Sequence, residues 1–451
     1  MTASAPAAAV LPVQRSDDLK TALRGDVLTF RGNPFLQPVD DCISFERDAL
    51  VVMEEGRIVA RGAARELLPT LEAGVEVAHY PDHLILPGFI DCHVHYPQTE
   101  MIAAFGEQLI DWLNRYTFVA EQGFADPEHA REVVKVFLAE QLRNGVTSSC
   151  VFGTVHAGAV DALFEEAACL DLRIMAGKVC MDRHAPEALL DTPLRAYEES
   201  RALIERWHGR GRAEYVITPR FAPTSSHGQL EMLGALAAEF PDVLIQSHVS
   251  ENLDEVAWVA QLFPACQDYT RVYERYGLLR PRAIYGHGIH LSEDELAAFH
   301  ASGASLAHCP TSNFFLGSGC LNARRVCRAE RPVKLGLGTD IGAGTSFSML
   351  QTMNEAYKAA QFHGQPLTAA QAFYLATRGG AEALGIAQRV GSVEVGMEAD
   401  LAVLDLRSTP LLDYRMRYVR DLDETLFVQM MLGDDRAIAA TYVAGKAAHA
   451  R

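Results

Sequence analysis

The sequence has 451 residues and a formal net charge of −18 at pH 7, with 49% hydrophobic and 22% charged residues. This length is enough for a large enzyme with an accessory domain. The negative charge argues against a nucleic acid or an anionic membrane as the main partner, because both would be repelled on average. Since no apolar run approaches the ~20 residues that span a bilayer, we expect no membrane partner.

The N-terminus and the cysteines indicate where the protein acts. Residues 1–20 are rich in alanine and lack a basic segment before their short apolar part, so we interpret them as a disordered tail rather than a signal peptide. The nine cysteines are scattered and include no C-x-x-C pair. This usage is typical of reduced thiols in a cytoplasmic protein.

The two ends of the chain share one pattern. In residues 21–85, short segments of alternating apolar and polar residues are separated by glycine turns, and residues 391–451 repeat this arrangement. The alternation predicts β-strands with one solvated face. Neither end has enough strands to be stable alone, so we expect the two ends to pair into one small β-sandwich domain.

Residues 86–390 follow a different pattern, in which strands alternate with helices. We expect Asp126 to cap a helix that closes at Gly145, and Ser292 to open another with Glu295 at the reciprocal capping position. The strand candidates are Leu84–His95, Thr147–Phe152, Arg173–Met181, Glu214–Ala222, Val243–Glu251, Ala283–His290, Ser305–Cys309 and Lys334–Ile341. This alternation predicts an α/β fold, a (β/α)8 TIM-like barrel that carries the catalytic site. An open doubly wound sheet is the alternative, but its G-x-G-x-x-G after the first strand is missing.

Chemically active side chains occur at the ends of the predicted strands, where barrel enzymes place their catalytic groups. His93 and His95 are two residues apart, so in an extended strand they share a face. A single His-x-His is more often a pair of packed histidines than a metal site. The remaining residues of this kind are Arg220, Phe221, His248, Glu251, His287 and Asp340. Their joint occurrence at strand ends favours a metal site over the ordinary interpretation of each residue.

A divalent metal of borderline softness suits a site of three imidazoles and one carboxylate with one position open to water. The candidate ligands are His93, His95, His248 and Asp340. We expect one zinc ion per chain, with iron as the alternative, because these ligands do not discriminate sharply. Glu251 is placed to serve as a general acid and base, although a solvated first-turn helix residue is the alternative. The cytidine-deaminase class is excluded, since its P-C-x-x-C signature is absent.

The motifs "LPGFIDCHVH", "SHVSE", "GHG" and "GLGTD" resemble, in this order, the metal motifs of the amidohydrolase superfamily. Within it, "HVHYPQ", "LIDWLNRYTFVAE", "PRFAPTSS" and "AHCPTSNFFLGSG" are similar to the guanine deaminase family. The resemblance implies a zinc site formed by His93, His95, His248 and Asp340, and proton transfer by Glu251, His287 and Asp340. It implies substrate contacts by His95, Gln98, Arg220, Phe221, His248, Glu251, His287 and Asp340. It also implies a homodimer.

The resemblance further implies that guanine and water are the substrates, and that xanthine and ammonia are released. Arg220 carries only donors, which match the acceptors O6 and N7 of guanine better than the amino group of adenine. Two-metal members of the superfamily often add a carboxylated lysine as a bridging ligand, but the fourth strand, "EYVITPRFAP", has no lysine. Lys178, at the third strand, is the only nearby candidate, so a site with one metal is favoured. Two alternatives remain: another mononuclear amidohydrolase acting on a pterin, a triazine, a modified adenosine or a cyclic amide, and a silent scaffold. Glu100 has no assigned role.

Overall fold

The computed structural model describes residues 20–106 and 108–451, so the interpretation of residues 1–20 as a tail lies almost entirely outside the described residues. The strands are β1 (Thr21–Phe30), β2 (Ile43–Glu54), β3 (Arg57–Ala63), β4 (Glu76–Pro87), β5 (Phe89–His95), β6 (Val146–Phe152), β7 (Arg173–Gly177), β8 (Val179–Cys180), β9 (Glu214–Pro219), β10 (Leu244–Val249), β11 (Ala283–His287), β12 (Ser305–His308), β13 (Lys334–Leu337), β14 (Leu401–Asp405), β15 (Ile438–Val443) and β16 (Lys446–Ala450).

The helices cover the barrel strands and complete the connections. They are α1 (Val39–Cys42), α2 (Ala64–Leu67), α3 (Leu109–Trp112), α4 (Phe118–Gln122), α5 (Pro127–Arg143), α6 (Ala157–Cys169), α7 (Pro193–Trp207), α8 (His227–Glu239), α9 (Leu253–Leu262), α10 (Tyr269–Arg275), α11 (Glu293–Ser302), α12 (Pro310–Phe315), α13 (Ala323–Val326), α14 (Met349–Phe362), α15 (Ala369–Leu375), α16 (Arg378–Leu384), α17 (Pro410–Met416) and α18 (Leu422–Leu432). Among the described residues, no helix is long and apolar enough to cross a bilayer.

The barrel is a parallel sheet in the order β5-β6-β7-β9-β10-β11-β12-β13, and the short β8 pairs with β9. Its two ends meet, because the backbone N–H of Asp340 donates to the carbonyl of His93 at 2.9 Å and that of His95 to Ile341 at 3.0 Å. The predicted (β/α)8 barrel is therefore confirmed. The predicted helix caps are also present: Asp126 accepts from the N–H of Glu128, and Ser292 forms a complete capping box.

A separate sheet gathers strands from both ends of the chain in the order β16-β15-β14-β4-β1-β2-β3. It is mixed, since β1 and β4 run parallel while their other neighbours are antiparallel. Its core contains inward-facing aliphatic residues from both segments, such as Val27, Val51, Ile85 and Val403. The expectation that the two ends build one β-domain is confirmed.

The prediction of one strand over Leu84–His95 is wrong. The chain passes from β4 of the terminal sheet to β5 of the barrel at Gly88, where a Cβ atom would overlap the side chain of Thr147. The residues from Leu84 to His95 are all buried and most of them are apolar, so hydropathy carries no mark of the change of sheet at Gly88. One apolar run therefore joins the terminal sheet to the strand that ends in His93 and His95.

Candidate active site

The imidazoles and the carboxylate expected to hold a metal meet at the carboxyl end of the barrel. The Nε2 atoms of His95 and His248 are 3.2 Å apart, and Asp340 Oδ1 lies 3.4 Å from the Nε2 atoms of both His93 and His95. All four side chains are buried. The structure thus brings together residues that are separated by almost 250 positions in the sequence.

The residues fit a metal ion, because their nitrogen lone pairs converge without enough donors to satisfy them. His248 Nδ1 bonds to the carbonyl of Arg220 at 2.6 Å, which leaves its Nε2 as the atom that faces His95. His93 Nε2 is buried without a hydrogen-bond partner among the described residues. Such an arrangement is costly without a shared cation.

The candidate ligand sets include two further residues near the predicted four. Ligand atoms of His93, His248 and His287 lie within 4.8 Å of one another, and so do those of His93, Cys309 and Asp340. His287 and Asp340 both adopt left-handed backbone conformations, with φ of 69° and 53°. Non-glycine residues in this region cost about 1–3 kcal/mol each and concentrate at functional sites.

The protonation states suit metal ligation. Burial lowers the pKa values of His95 and His248 well below the ordinary imidazole value, so both rings are neutral near pH 7 and carry a lone pair. Burial alone would raise the pKa of Asp340, but the neighbouring imidazoles, His93 above all, lower it to about 2. The site therefore offers neutral nitrogens and an ionised oxygen at neutral pH.

The buried side chain of Asp91 fixes the backbone at two of the candidate ligands. Asp91 Oδ1 accepts from the backbone N–H of Thr339 at 3.0 Å and of His93 at 3.3 Å. Each of these residues is next to or is itself a candidate ligand. Asp91 thus fixes the two strand ends relative to each other, as carboxylates hydrogen-bonded behind metal ligands commonly do.

Glu251 and His287 lie side by side next to Asp340. Glu251 Oε2 is 3.4 Å from His287 Nε2, and His287 Nε2 is 3.7 Å from Asp340 Oδ2. Burial raises the pKa of Glu251 to about 7, opposed by the charge of His287. A carboxyl with a pKa near neutrality can both accept and donate a proton, which is what general acid–base chemistry requires.

Two side chains that sequence reasoning missed orient this pair. Asn313 Oδ1 bonds to His287 Nδ1 at 2.9 Å, and Ser318 Oγ donates to Glu251 Oε1 at 3.2 Å. Both belong to the segment "AHCPTSNFFLGSG", which pointed to the family without revealing these contacts. The carboxylate of Glu255 also accepts the backbone N–H of Glu251 at 2.8 Å.

A pocket opens beside these groups, and the residues predicted to bind the substrate line it. Its wall includes Gln98, Arg220 and Phe221, together with apolar side chains from the segment after β5. Phe221 is buried, with its ring centre 6.5 Å from that of His248. The remaining lining residues are His95, Leu109, Trp112, Leu113, His248, Glu251, His287, Leu316, Asp340 and Ala343.

The segment that follows β5 brings a further carboxylate to this wall. α3 passes through a π-helical turn, Leu113–Thr117, into α4, which carries Glu121. Glu121 is wholly buried and accepts from Arg220 Nη1 at 2.8 and 2.9 Å. Sequence reasoning missed Glu121, because a glutamate on a short helix ordinarily faces solvent.

Lys178 and Glu100 lie outside the cluster. Lys178, the candidate for a carboxylated lysine, forms ion pairs with Asp191 and, at 3.1 Å, with Glu199. The carboxylate of Glu100, which had no assigned role, pairs with Nε2 of His129 at 3.0 Å, and both side chains are partly exposed.

A (β/α)8 barrel with this histidine and aspartate cluster defines a class of metal-dependent hydrolases. The model of the amidohydrolase family matches residues 84–448, and the chain belongs to that family.

The relatives narrow the class further. Guanine deaminase of Escherichia coli strain K12 is 46% identical over 433 residues, which cover 95% of this chain and 98% of the relative. A solved structure of the E. coli guanine deaminase matches 96% of this chain and 100% of its own length with a TM-score of 0.93 and 45% identity.

More distant structures add information about ligands. A guanine deaminase from C. acetobutylicum, solved with guanine bound in its active site, is 28% identical and covers 95% of this chain and 99% of its own, with a TM-score of 0.84. An adenosine deaminase from Xanthomonas campestris with bound zinc is 25% identical and covers 95% of this chain and 92% of its own, with a TM-score of 0.81.

Proposed function

We propose that this protein is a guanine deaminase, which hydrolyses guanine to xanthine and ammonia in guanine catabolism. The observation that carries the proposal is the convergence of a candidate metal site, a carboxyl with a pKa near 7 and a pocket wall with an arginine and a glutamine. The identity to E. coli guanine deaminase over nearly the full length of both chains supports the same reaction.

The proposed ion is zinc, with iron as the alternative. His93, His95, His248 and Asp340 are the ligands we propose, supported by the converging Nε2 atoms and by the ionised state of Asp340. A divalent cation bound there supplies the nucleophile, because it lowers the pKa of a coordinated water to about 7. Elemental analysis of the purified protein tests this assignment: we expect about one equivalent of zinc per chain, and a protein that is active without a divalent metal would contradict it.

In the proposed reaction, Glu251 takes a proton from the attacking water and passes it to a ring nitrogen next to C2 of guanine. A C–O bond forms at C2, the C–N bond to the amino group breaks, and the second proton of the water leaves with the nitrogen as ammonia. His287 and Asp340 stabilise the charge that develops as these bonds form and break. The 3.4 Å contact between His287 Nε2 and Glu251 Oε2 supports this role. Asn313 keeps His287 in position, and Ser318 keeps Glu251 in position.

The substrate is held by residues that line the pocket beside the proposed metal site. We propose that Arg220 and Gln98 bond to the polar edge of the purine and that Phe221 covers its ring, since aromatic faces pack well on flat heterocycles. The same pocket is lined by His95, His248, Glu251, His287 and Asp340, and we propose that these residues contact the substrate near the reacting carbon.

The ultraviolet spectrum of guanine, followed with purified protein, tests the function directly. Parallel reactions with adenine, cytosine, guanosine, a pterin and a triazine separate the proposal from another mononuclear amidohydrolase. We expect conversion of guanine to xanthine with an equal amount of ammonia. Conversion of adenine but not guanine would contradict the proposal, and no conversion of any substrate by the metal-loaded protein would revive the silent scaffold.

We further propose that the protein acts in the cytoplasm as a homodimer. The nine cysteines are all free, and most of them are buried, which suits a reducing compartment. Phe105 and Phe362 are 73% and 82% exposed and supply apolar surface for a contact between copies. Sedimentation equilibrium across a range of protein concentrations tests this proposal, and a monomer at micromolar concentration would contradict it.

A further inference from the structure

Glu121 connects the two polar side chains that form the wall of the pocket. Its carboxylate accepts two bonds from Arg220 Nη1, at 2.8 and 2.9 Å, and lies 3.4 Å from Gln98 Nε2. It is completely buried and does not itself line the pocket. It therefore acts on a ligand only through Arg220 and Gln98.

The helix that carries Glu121 also places an aromatic ring against the guanidinium of Arg220. Phe118 lies one turn earlier in α4, and its ring centre is 5.3 Å from Cζ of Arg220. Residues three apart share one face of a helix, so Phe118 and Glu121 act on the same group. The ring and the carboxylate together hold the guanidinium in one orientation.

The same carboxylate determines which end of the Gln98 amide faces each neighbour. The backbone N–H of Gly342 donates to Gln98 Oε1 at 3.0 Å, while Nε2 is directed towards Glu121. A carboxylate only accepts and a backbone N–H only donates, so rotating the amide by 180° would place like against like at both ends. The NH2 group of Gln98 is thus fixed on the side of Arg220.

We propose that Glu121 sets the hydrogen-bond polarity of the pocket wall, so that the wall offers donors and rejects a ligand that offers donors in return. The inference rests on the proposed function and deepens it: Glu121 is a positioning residue that selects 6-oxopurines over 6-aminopurines. A site built of donors discriminates strongly, because a mismatched ligand leaves buried polar groups unpaired on both sides.

Binding of two unreactive purines to the metal-loaded protein tests the inference. Hypoxanthine carries an acceptor at C6 and adenine an amino group, and neither has an amino group at C2. Their dissociation constants are measured by calorimetry for the wild type and for Glu121→Gln, a neutral variant of nearly equal shape. The matched control is Glu214→Gln, which loses a buried carboxylate bonded to Arg173 at 3.2 Å and Arg282 at 2.8 Å at the opposite end of the barrel.

The wild type should prefer hypoxanthine, and Glu121→Gln should weaken hypoxanthine binding by about 10- to 100-fold, as expected for hydrogen bonds to a charged donor group. Adenine binding should change less than hypoxanthine binding, because the amino group at C6 does not accept from the donors that Glu121 orients. Glu214→Gln should lower the melting temperature without changing the ratio of the two constants. A purely structural role for Glu121 would instead weaken both ligands alike.

Three results would overturn the inference: a wild type without preference for hypoxanthine, a Glu121→Gln protein with the wild-type ratio, and a Glu214→Gln protein that loses the preference equally. If Glu121→Gln does not fold, Glu121→Asp is the second variant, because it keeps the charge but withdraws it by one methylene. It should retain the preference for hypoxanthine with weaker binding, and unchanged dissociation constants would refute the inference. The binding assay needs no turnover, so failure to convert guanine would refute the proposed function separately.

Discussion

Replacing Glu251 by glutamine should abolish most turnover while leaving the metal in place. Glu251 is 3% exposed, and the amide oxygen of the variant can still accept from Ser318 Oγ, now 3.2 Å from the carboxylate. The variant thus keeps the shape of the site and loses only the exchangeable proton. A positioned general acid and base contributes about 10²- to 10⁴-fold in rate, which corresponds to about 3–5 kcal/mol of the barrel enzyme's activation free energy.

The assay combines steady-state turnover of guanine with elemental analysis of the same preparation. Glu251→Gln should retain about one metal equivalent per chain, and its kcat should fall by about 100-fold or more. His248→Ala is the matched variant three residues earlier: it removes a proposed ligand and should lose both metal and turnover. A Glu251→Gln protein with a near-normal rate would remove Glu251 from the mechanism, and one without metal would show that Glu251 is a ligand instead.

Three further substitutions and one control test a contact of Glu251 and the stability of the barrel. Ser318→Ala should lower kcat about 10-fold with the metal content unchanged, because a hydrogen bond to the proposed proton-transfer carboxylate is lost; an unaltered kcat would show that the contact is not needed. Glu398→Gln removes the carboxylate that accepts from the buried Arg173 at 2.6 Å. It should lower the free energy of unfolding, measured in urea, by about 3 kcal/mol, whereas a loss below ~1 kcal/mol would contradict the pairing. Gly177→Ala places a methyl group against a carbonyl oxygen of the next strand and should cost about 3 kcal/mol in the same assay, while Gly158→Ala, whose methyl group meets nothing closer than 4.0 Å, should cost nothing measurable.

The barrel was predictable because its strands repeat a local pattern that needs no tertiary information. Each of the predicted segments contains or overlaps a strand of the structure; Ser305–Cys309, for example, corresponds to β12. The prediction of one strand over Leu84–His95 failed because the local pattern does not show where β4 ends and β5 begins. The residues next to Gly88 are apolar on both sides, and the side chain of Thr147 that excludes a Cβ at Gly88 is far away in the sequence.

The same distinction applies to the candidate site. His93, His95 and Asp340 could be singled out since imidazoles and carboxylates at strand ends are unusual in a buried setting, and the structure brings them together. Glu121 and Ser318 carry no such mark. Each acts through a contact with a residue of another loop, and an isolated glutamate or serine on a short helix or turn ordinarily indicates a solvated surface.

The passage from β4 to β5 at Gly88 has a consequence for the order of folding. β4 pairs on one side with β1 and on the other with β14, in a register that sets Pro87 opposite Leu401. During synthesis, the histidines at the end of β5 leave the ribosome long before the strand that secures the base of their own segment. Because such distant pairings are slow to form, the nascent chain passes through a stage in which β4 is paired with β1 alone. The terminal sheet is therefore completed only after all the proposed metal ligands have been synthesised, since Asp340 precedes β14 in the sequence.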